Sequence, residues 1–201
     1  MTIARDRLKL RDFTPLEHEF DAAQKLGELT GRFAIDDVGS IVKLYIRDKL
    51  TDGHTDLVLA LPNLQFYSSA NYPASASGIS DCGMARIISH PSLVDVLYQG
   101  NERLTGSFFD ALRPNSHIKR IGVPYCPIDD AGISLAGGCS LTHLSIRGSF
   151  VSDDSVDTLC SMRSLMQIHV KETRITRNGL VRLRESLPGC WIDMLDRPDG
   201  G

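Results

Sequence analysis

The 201-residue chain contains no C-x-x-C pair, a single tryptophan and no surplus of basic residues. It also lacks any window of about 18 uncharged apolar residues, so no segment reads as a membrane-spanning helix. Each absence removes a class of protein. Cys82, Cys126, Cys139, Cys160 and Cys190 are odd in number and carry no paired spacing. That fits reduced thiols better than a disulfide framework or a zinc site. Lys and Arg number 22 against 25 Asp and Glu, a net charge of −3, which disfavours a generic polyanion binder because non-specific nucleic-acid affinity comes from excess cations. The opening Met1–Leu10 alternates charges with short apolar residues and lacks the apolar core of a secretory signal, so a cytoplasmic location is expected. Catalytic signatures are missing too: there is no G-x-S-x-G, no G-x-x-x-x-G-K-[ST], no H-E-x-x-H and no G-x-G-x-x-G before a helix. No enzymatic activity, cofactor or metal is expected.

What the chain does have is repetition. Leu141-Thr142-His143-Leu144-Ser145-Ile146 aligns without gaps on Leu165-Met166-Gln167-Ile168-His169-Val170, 24 residues on. Counting the first strand residue as position 1, units begin at Ile41, Leu64, Leu93, Ile118, Leu141 and Leu165. Positions 1, 4 and 6 are apolar throughout, Ser69 apart. On a strand, period 2 puts positions 4 and 6 on one face and 3, 5 and 7 on the other. An apolar anchor follows each strand (Leu50, Ile79, Leu104, Ile128, Val151, Ile175), and after it comes Thr51, Ser80, Thr105, Asp129, Ser152 or Thr176. All six are helix N-cap chemistry. Asp52, Asp81, Asp130 and Asp153 come next in four units, where negative charge suits a helix dipole better than catalysis. Two residues before the anchors, the polar column Asp48, Ser77, Glu102, Cys126, Ser149 and Thr173 is expected to turn inward and bond neighbouring backbones. Cys126 resembles a nucleophile only by type, since no basic residue has a place beside it. Units of this length cannot bury an apolar face alone, so the expectation is an α/β solenoid with parallel strands inside its arc and short helices outside.

The ends read as covers. Thr14-Pro15-Leu16-Glu17 is a capping box before a helix in which Leu16, Phe20, Ala23 and Leu26 recur, ending at Gly27. Arg32–Ile35 and Ser40–Ile46 flank Asp36-Asp37-Val38-Gly39 as a hairpin. Leu187–Asp193 looks like a last partial strand with Trp191 covering the final unit. The expected division is residues 1–40 as an N-terminal cap, 41–192 as an arc of about six repeats, and 193–201 as a tail, all in one domain. A small polar insertion at 68–78 is expected to form a rim loop, adjoined by a smaller one at Gly100–Arg103.

From Leu16 to Ile192 the chain resembles leucine-rich repeat proteins of the cysteine-containing, ribonuclease-inhibitor-like class, especially short bacterial members. Leu50-Thr51-Asp52, Ile79-Ser80-Asp81-Cys82-Gly83-Met84 and Ile175-Thr176-Arg177-Asn178-Gly179-Leu180 carry the likeness, with Lys25-Leu26-Gly27 and Leu187-Pro188-Gly189-Cys190 at the ends. The resemblance implies an architecture, and such repeats are scaffolds for many partners. The outward positions 3, 5 and 7 then gather Lys43, Arg47, Arg120, Arg147 and Lys171 against one acid, Asp95, with Tyr45, Phe66, His143 and His169 among them. This basic strip is expected to bind another protein through an acidic surface or segment, with Tyr45 and Phe66 as apolar anchors. Nucleic acid or another anionic ligand on the same strip is the alternative, disfavoured by the scarcity of aromatics along it.

Overall fold

The computed structural model describes residues 5–47, 49–75, 78–112 and 117–193. Asp48 and Ser77 of the polar column, and the tail from 194 onward, lie outside the described residues. Within them one open sheet holds nine strands in chain order: β1 Arg5–Leu8, β2 Arg32–Ile35, β3 Ile41–Ile46, β4 Phe66–Ser75, β5 Asp95–Asn101, β6 Arg120–Gly122, β7 His143–Ser145, β8 Gln167–His169 and β9 Trp191–Ile192. The first three pair antiparallel; every later pair is parallel. Parallel neighbours need a crossover, supplied by α2 Thr55–Leu59, α3 Asp81–Ile88, α4 Asp130–Ser134, α5 Val156–Ser161 and α6 Arg177–Ser186, with a 3-10 turn at Ser107–Ala111 between α3 and α4. The helix α1 Phe20–Glu28 precedes the hairpin.

The period-2 pattern sets the register. Leu44, Tyr67, Val96, Ile121, Leu144, Ile168 and Ile192 form one unbroken row across seven strands. All are buried, in a single apolar cluster with Val58, Met84, Ile87, Ile133, Leu159, Leu180 and Leu183 from the helices. The core therefore lies between the sheet and one helix layer. Ser69 interrupts the next row, and two large neighbours, Tyr67 and Tyr98, fill the space with ring centroids 6.2 Å apart. Burial pushes the Tyr67 phenol well above its usual range.

At the C-terminal ends of β5 to β8 the chain turns through a left-handed residue, Gly100, Tyr125, Gly148 and Glu172 respectively. Glycine adopts that conformation without cost; Tyr125 and Glu172 do not. Asn101, Cys126, Ser149 and Thr173 follow as the inward polar column. In its third unit the inward residue is Asn101, not the expected Glu102, which is exposed. The chain lengthens by one residue there, and Asn101 Nδ2 donates to the Ile79 carbonyl at 2.7 Å. Cys126 accepts from Asn101 N–H at 3.4 Å, and burial pushes its thiol up to about 11, so it stays protonated.

The acids after the caps lie in first helical turns, as expected, and have a second role besides. Asp52 accepts from both the N–H and the hydroxyl of Ser80, each at 2.7 Å, in the following unit. Asp81 does the same to Thr105 (3.0 and 2.7 Å) and Asp153 to Thr176 (2.8 and 2.6 Å). Asp130 takes the N–H and hydroxyl of Ser152 at 2.8 and 2.7 Å, and the Ser155 hydroxyl as well. Each carboxylate thus ties one crossover to the next. Cap chemistry is correspondingly divided: Asp129, Ser152 and Thr176 accept from helix N–H groups, Ser80 makes no such bond, and Thr105 cedes the cap position to Gly106.

This ladder explains the glycine of the repeated turn. A Cβ at Gly83 would strike Asp52, and one at Gly179 would strike Asp153. Gly179→Ala is expected to cost about 1–3 kcal/mol, because the carboxylate it would displace is held by two bonds to Thr176; urea unfolding beside the wild type checks it. Between the third and fourth units the link is absent. Gly106 stands where the acid would be, and the next cap, Asp129, offers a carboxylate in place of the hydroxyl that donates in the other units. The crossovers instead close directly, a Cβ at Gly106 falling 2.8 Å from Gly132 Cα.

Three expectations change at the margins. β1 adds a second antiparallel strand to the N-terminal cap, and its Arg5-Asp6-Arg7-Leu8 gives little apolar signal. In the cap helix Phe20 is 48% exposed, while Ala22, Ala23 and Leu26 face the core. Glu19 is buried instead, accepting from the Ser40 hydroxyl at 2.9 Å and from Ile41 N–H. It thereby anchors the start of β3. Up to Ser75 the 68–78 insertion is strand and not loop. β4 continues through it to Ser75, bulging where Ala70 pairs Gln99 and Ser75 pairs Asn101.

Candidate functional site: the outward face of the sheet

Register places every candidate residue on one face. Lys43, Phe66, Asp95, Arg120, His143, Gln167 and Trp191 make one row, and Tyr45, Ser68, Leu97, Gly122, Ser145 and His169 the next. Arg47, Arg147 and Lys171 continue the same alternation past the strand ends. The face is common to all, but their electrostatic states differ.

Toward the C-terminal end the two arginines of the face are engaged. Arg120 Nε bonds Asp95 at 2.8 Å, directly across β5 and β6. Arg147 bonds Glu172 at 2.6 Å and lies 5.4 Å from the Tyr125 ring centroid. The Arg147 bond holds the Glu172 carboxyl below its usual range. His169 faces Asp193 at 3.3 Å, takes a 2.7 Å contact from Gln167 and packs edge-on to Trp191. His143 contacts the Thr142 hydroxyl at 2.9 Å. The two histidines occupy different rows, and no group of three metal-binding side chains occurs among the described residues. Trp191 does not cover the last unit from within. It is 41% exposed on the outward face, and Ile192 fills the core position.

The N-terminal end is different. Tyr45 and Phe66 stack at 5.3 Å, Arg7 lies over the Tyr45 ring at 5.2 Å, and Lys43 Nζ lies 6.0 Å from the Phe66 ring. Burial, reinforced by Asp6, pushes the Tyr45 phenol up to about 12, leaving it a neutral hydroxyl. Arg7, Arg32 and Arg47 line one cavity of about 650 Å³ with Thr30, Tyr45 and Ser68. None of the three arginines, nor Lys43, forms an ion pair with a described residue.

The chain matches none of the known family models, and none of the curated proteins matches it. Chemistry must therefore be read from the face itself. Sequence reasoning missed Arg7 and Arg32. The signal for Arg32 was present in the hairpin, whose antiparallel register sets it opposite Tyr45; Arg7 sits on a strand without apolar alternation. Among the described residues no helix is long and apolar enough to cross a membrane.

Proposed function

We propose that the chain is a solenoid of leucine-rich-repeat type that acts as a non-catalytic protein-interaction module, binding an acidic protein segment through the outward face of its sheet. The observation that carries this reading is the cluster of Lys43, Arg47, Arg7 and Arg32, without ion-pair partners among the described residues, around the Tyr45–Phe66 pair. Arginine forks suit carboxylates, and aromatic anchors supply buried area with little side-chain entropy to lose. Arg120, His143, Arg147, His169 and Lys171 extend the same surface, but Arg120 and Arg147 already serve carboxylates of this chain. A partner must displace Asp95 or Glu172 to use them. Seven parallel strands at about 4.8 Å span roughly 30 Å, enough for an extended peptide or one side of a small domain.

Anisotropy of a labelled twelve-residue Glu/Asp peptide tests the reading. The Lys43→Glu/Arg47→Glu pair is expected to weaken binding at least about tenfold, whereas Arg120→Glu/Arg147→Glu changes it little. No peptide binding by the wild type, or equal losses in both variants, would contradict the proposal. Tighter binding to an oligonucleotide of equal charge would favour the anionic-ligand alternative instead.

A further inference from the structure

We infer that the cavity lined by Arg7, Arg32 and Arg47 is a binding site for a phosphate monoester. The inference deepens the protein-binding reading and rests on it in part, because the cavity opens on the same face. Three elements contribute one arginine each: Arg7 from β1, Arg32 from β2 and Arg47 just beyond β3, with Tyr45 and the small Ser68 and Ala70 on the remaining sides. A carboxylate is planar and is satisfied by one fork. A tetrahedral phosphate dianion presents three oxygens and can engage several guanidinium groups at once. The cavity volume of about 650 Å³ exceeds what an inorganic ion needs and suits a phosphate carried on a side chain or small body.

Backbone conformation points the same way. Arg7 and Thr30 both line the cavity, and both lie in the left-handed region, at φ 56° and 68°. Thr30 ends α1 in a turn where its N–H reaches the Gly27 carbonyl at 3.0 Å and Gly31 N–H reaches Leu26 at 2.8 Å. Glycine is the usual residue at that position, and a β-branched one is strained. Such strain collects at binding sites, where the surroundings hold it. Asp6 is an acid beside the cluster: it interacts with Tyr45, and its carboxylate accepts the Arg7 backbone N–H at 3.0 Å.

Calorimetric titration of the full chain with four probes tests the site: phenyl phosphate, sulfate at matched ionic strength, and an acidic heptapeptide with its central serine either phosphorylated or not. Phenyl phosphate is expected to bind at least about tenfold tighter than sulfate, and Arg47→Gln or Arg32→Gln to remove most of that preference. Arg47 is exposed, so its variant keeps the fold if Arg32→Gln does not. A phosphopeptide tighter than phenyl phosphate identifies a partner's phosphorylated side chain as the source; equal affinity identifies a free small ester. Phenyl phosphate no tighter than sulfate, or binding unchanged in Arg47→Gln, overturns the site. If the unphosphorylated heptapeptide still binds, the protein-binding reading survives that failure. Phosphate binding without any peptide binding would retain the site and remove the reading.

Discussion

Leu144→Ala is expected to lower stability by about 2–5 kcal/mol, corresponding to a melting temperature some 5–15 °C lower in a chain of this size. Leu144 sits mid-row in the unbroken apolar line, between Ile121 on β6 and Ile168 on β8, and is 1% exposed. Strands on both sides fix its surroundings, so the vacated volume has little means of collapsing. The loss would combine missing transfer energy with a cavity term. Met166→Ala, two residues before a strand leucine's counterpart and 63% exposed, should change stability by under about 0.5 kcal/mol. Parallel thermal melts of the two variants check the contrast. Equal losses would mean that the inward row is wrongly placed.

The second large effect belongs to Asp130. Asp130→Ala removes the acceptor for three donors at once, Ser152 N–H, Ser152 Oγ and Ser155 Oγ, and is expected to cost about 2–3 kcal/mol. The effect should depend on pH with a definite sign. Burial raises the Asp130 carboxyl, but the Ser152 and Ser155 hydroxyls, the Ser152 N–H and Arg174 outweigh it and hold the group below its ordinary value of 3.8. A folded-state pKa below the unfolded one means that the carboxylate's contribution is complete above the unfolded value and disappears as pH falls through the folded one. The stability gap between wild type and Asp130→Ala should therefore be constant near neutrality and narrow as pH drops below about 4. Denaturant titrations at pH 7, 5 and 3.5 measure it. A gap that widens on acidification would assign Asp130 a different role.

Much of this architecture is written openly in the chain. The 24-residue offset between the fifth and sixth parallel-region strands, and the alternation at positions 3 to 6, predict the inner row and its outward counterpart residue by residue. What sequence obscures is anything set between units. Four aspartates after the caps look like local helix-dipole partners, yet their bonds run some 22 to 28 residues ahead. For three of the four, Asp52, Asp130 and Asp153, the clue was the glycine or serine two residues beyond the neighbouring-unit equivalent, Gly83, Ser155 and Gly179, where a carboxylate from the preceding unit has to fit.

The face shows the same division. Arg120 and Asp95 both occupy position 3 of adjacent units, so their pairing follows from register once the strands are known to be parallel. Arg147 and Glu172 do not share a position. Their bond depends on Glu172 adopting a left-handed turn that a glutamate disfavours, and no pattern announces it. Arg7 is hidden for a further reason: β1 is an edge strand held by the backbone of β2 and by the Tyr45 ring, with little apolar content of its own.

The in-register outward row underlies both the fold and the proposed binding face, and cross-linking tests it most directly. Ser68 and Leu97 are paired across β4 and β5, while Ser68 and Gln99 are two residues out of step. In a Cys82→Ser background, chosen because Cys82 is exposed, Ser68→Cys with Leu97→Cys should oxidise to a disulfide in the folded chain, since in-register neighbours lie within bridging distance. Ser68→Cys with Gln99→Cys should remain reduced under the same conditions. Rapid closure of the second pair and none of the first would contradict the register, and with it the shared face of Lys43, Phe66 and Arg120.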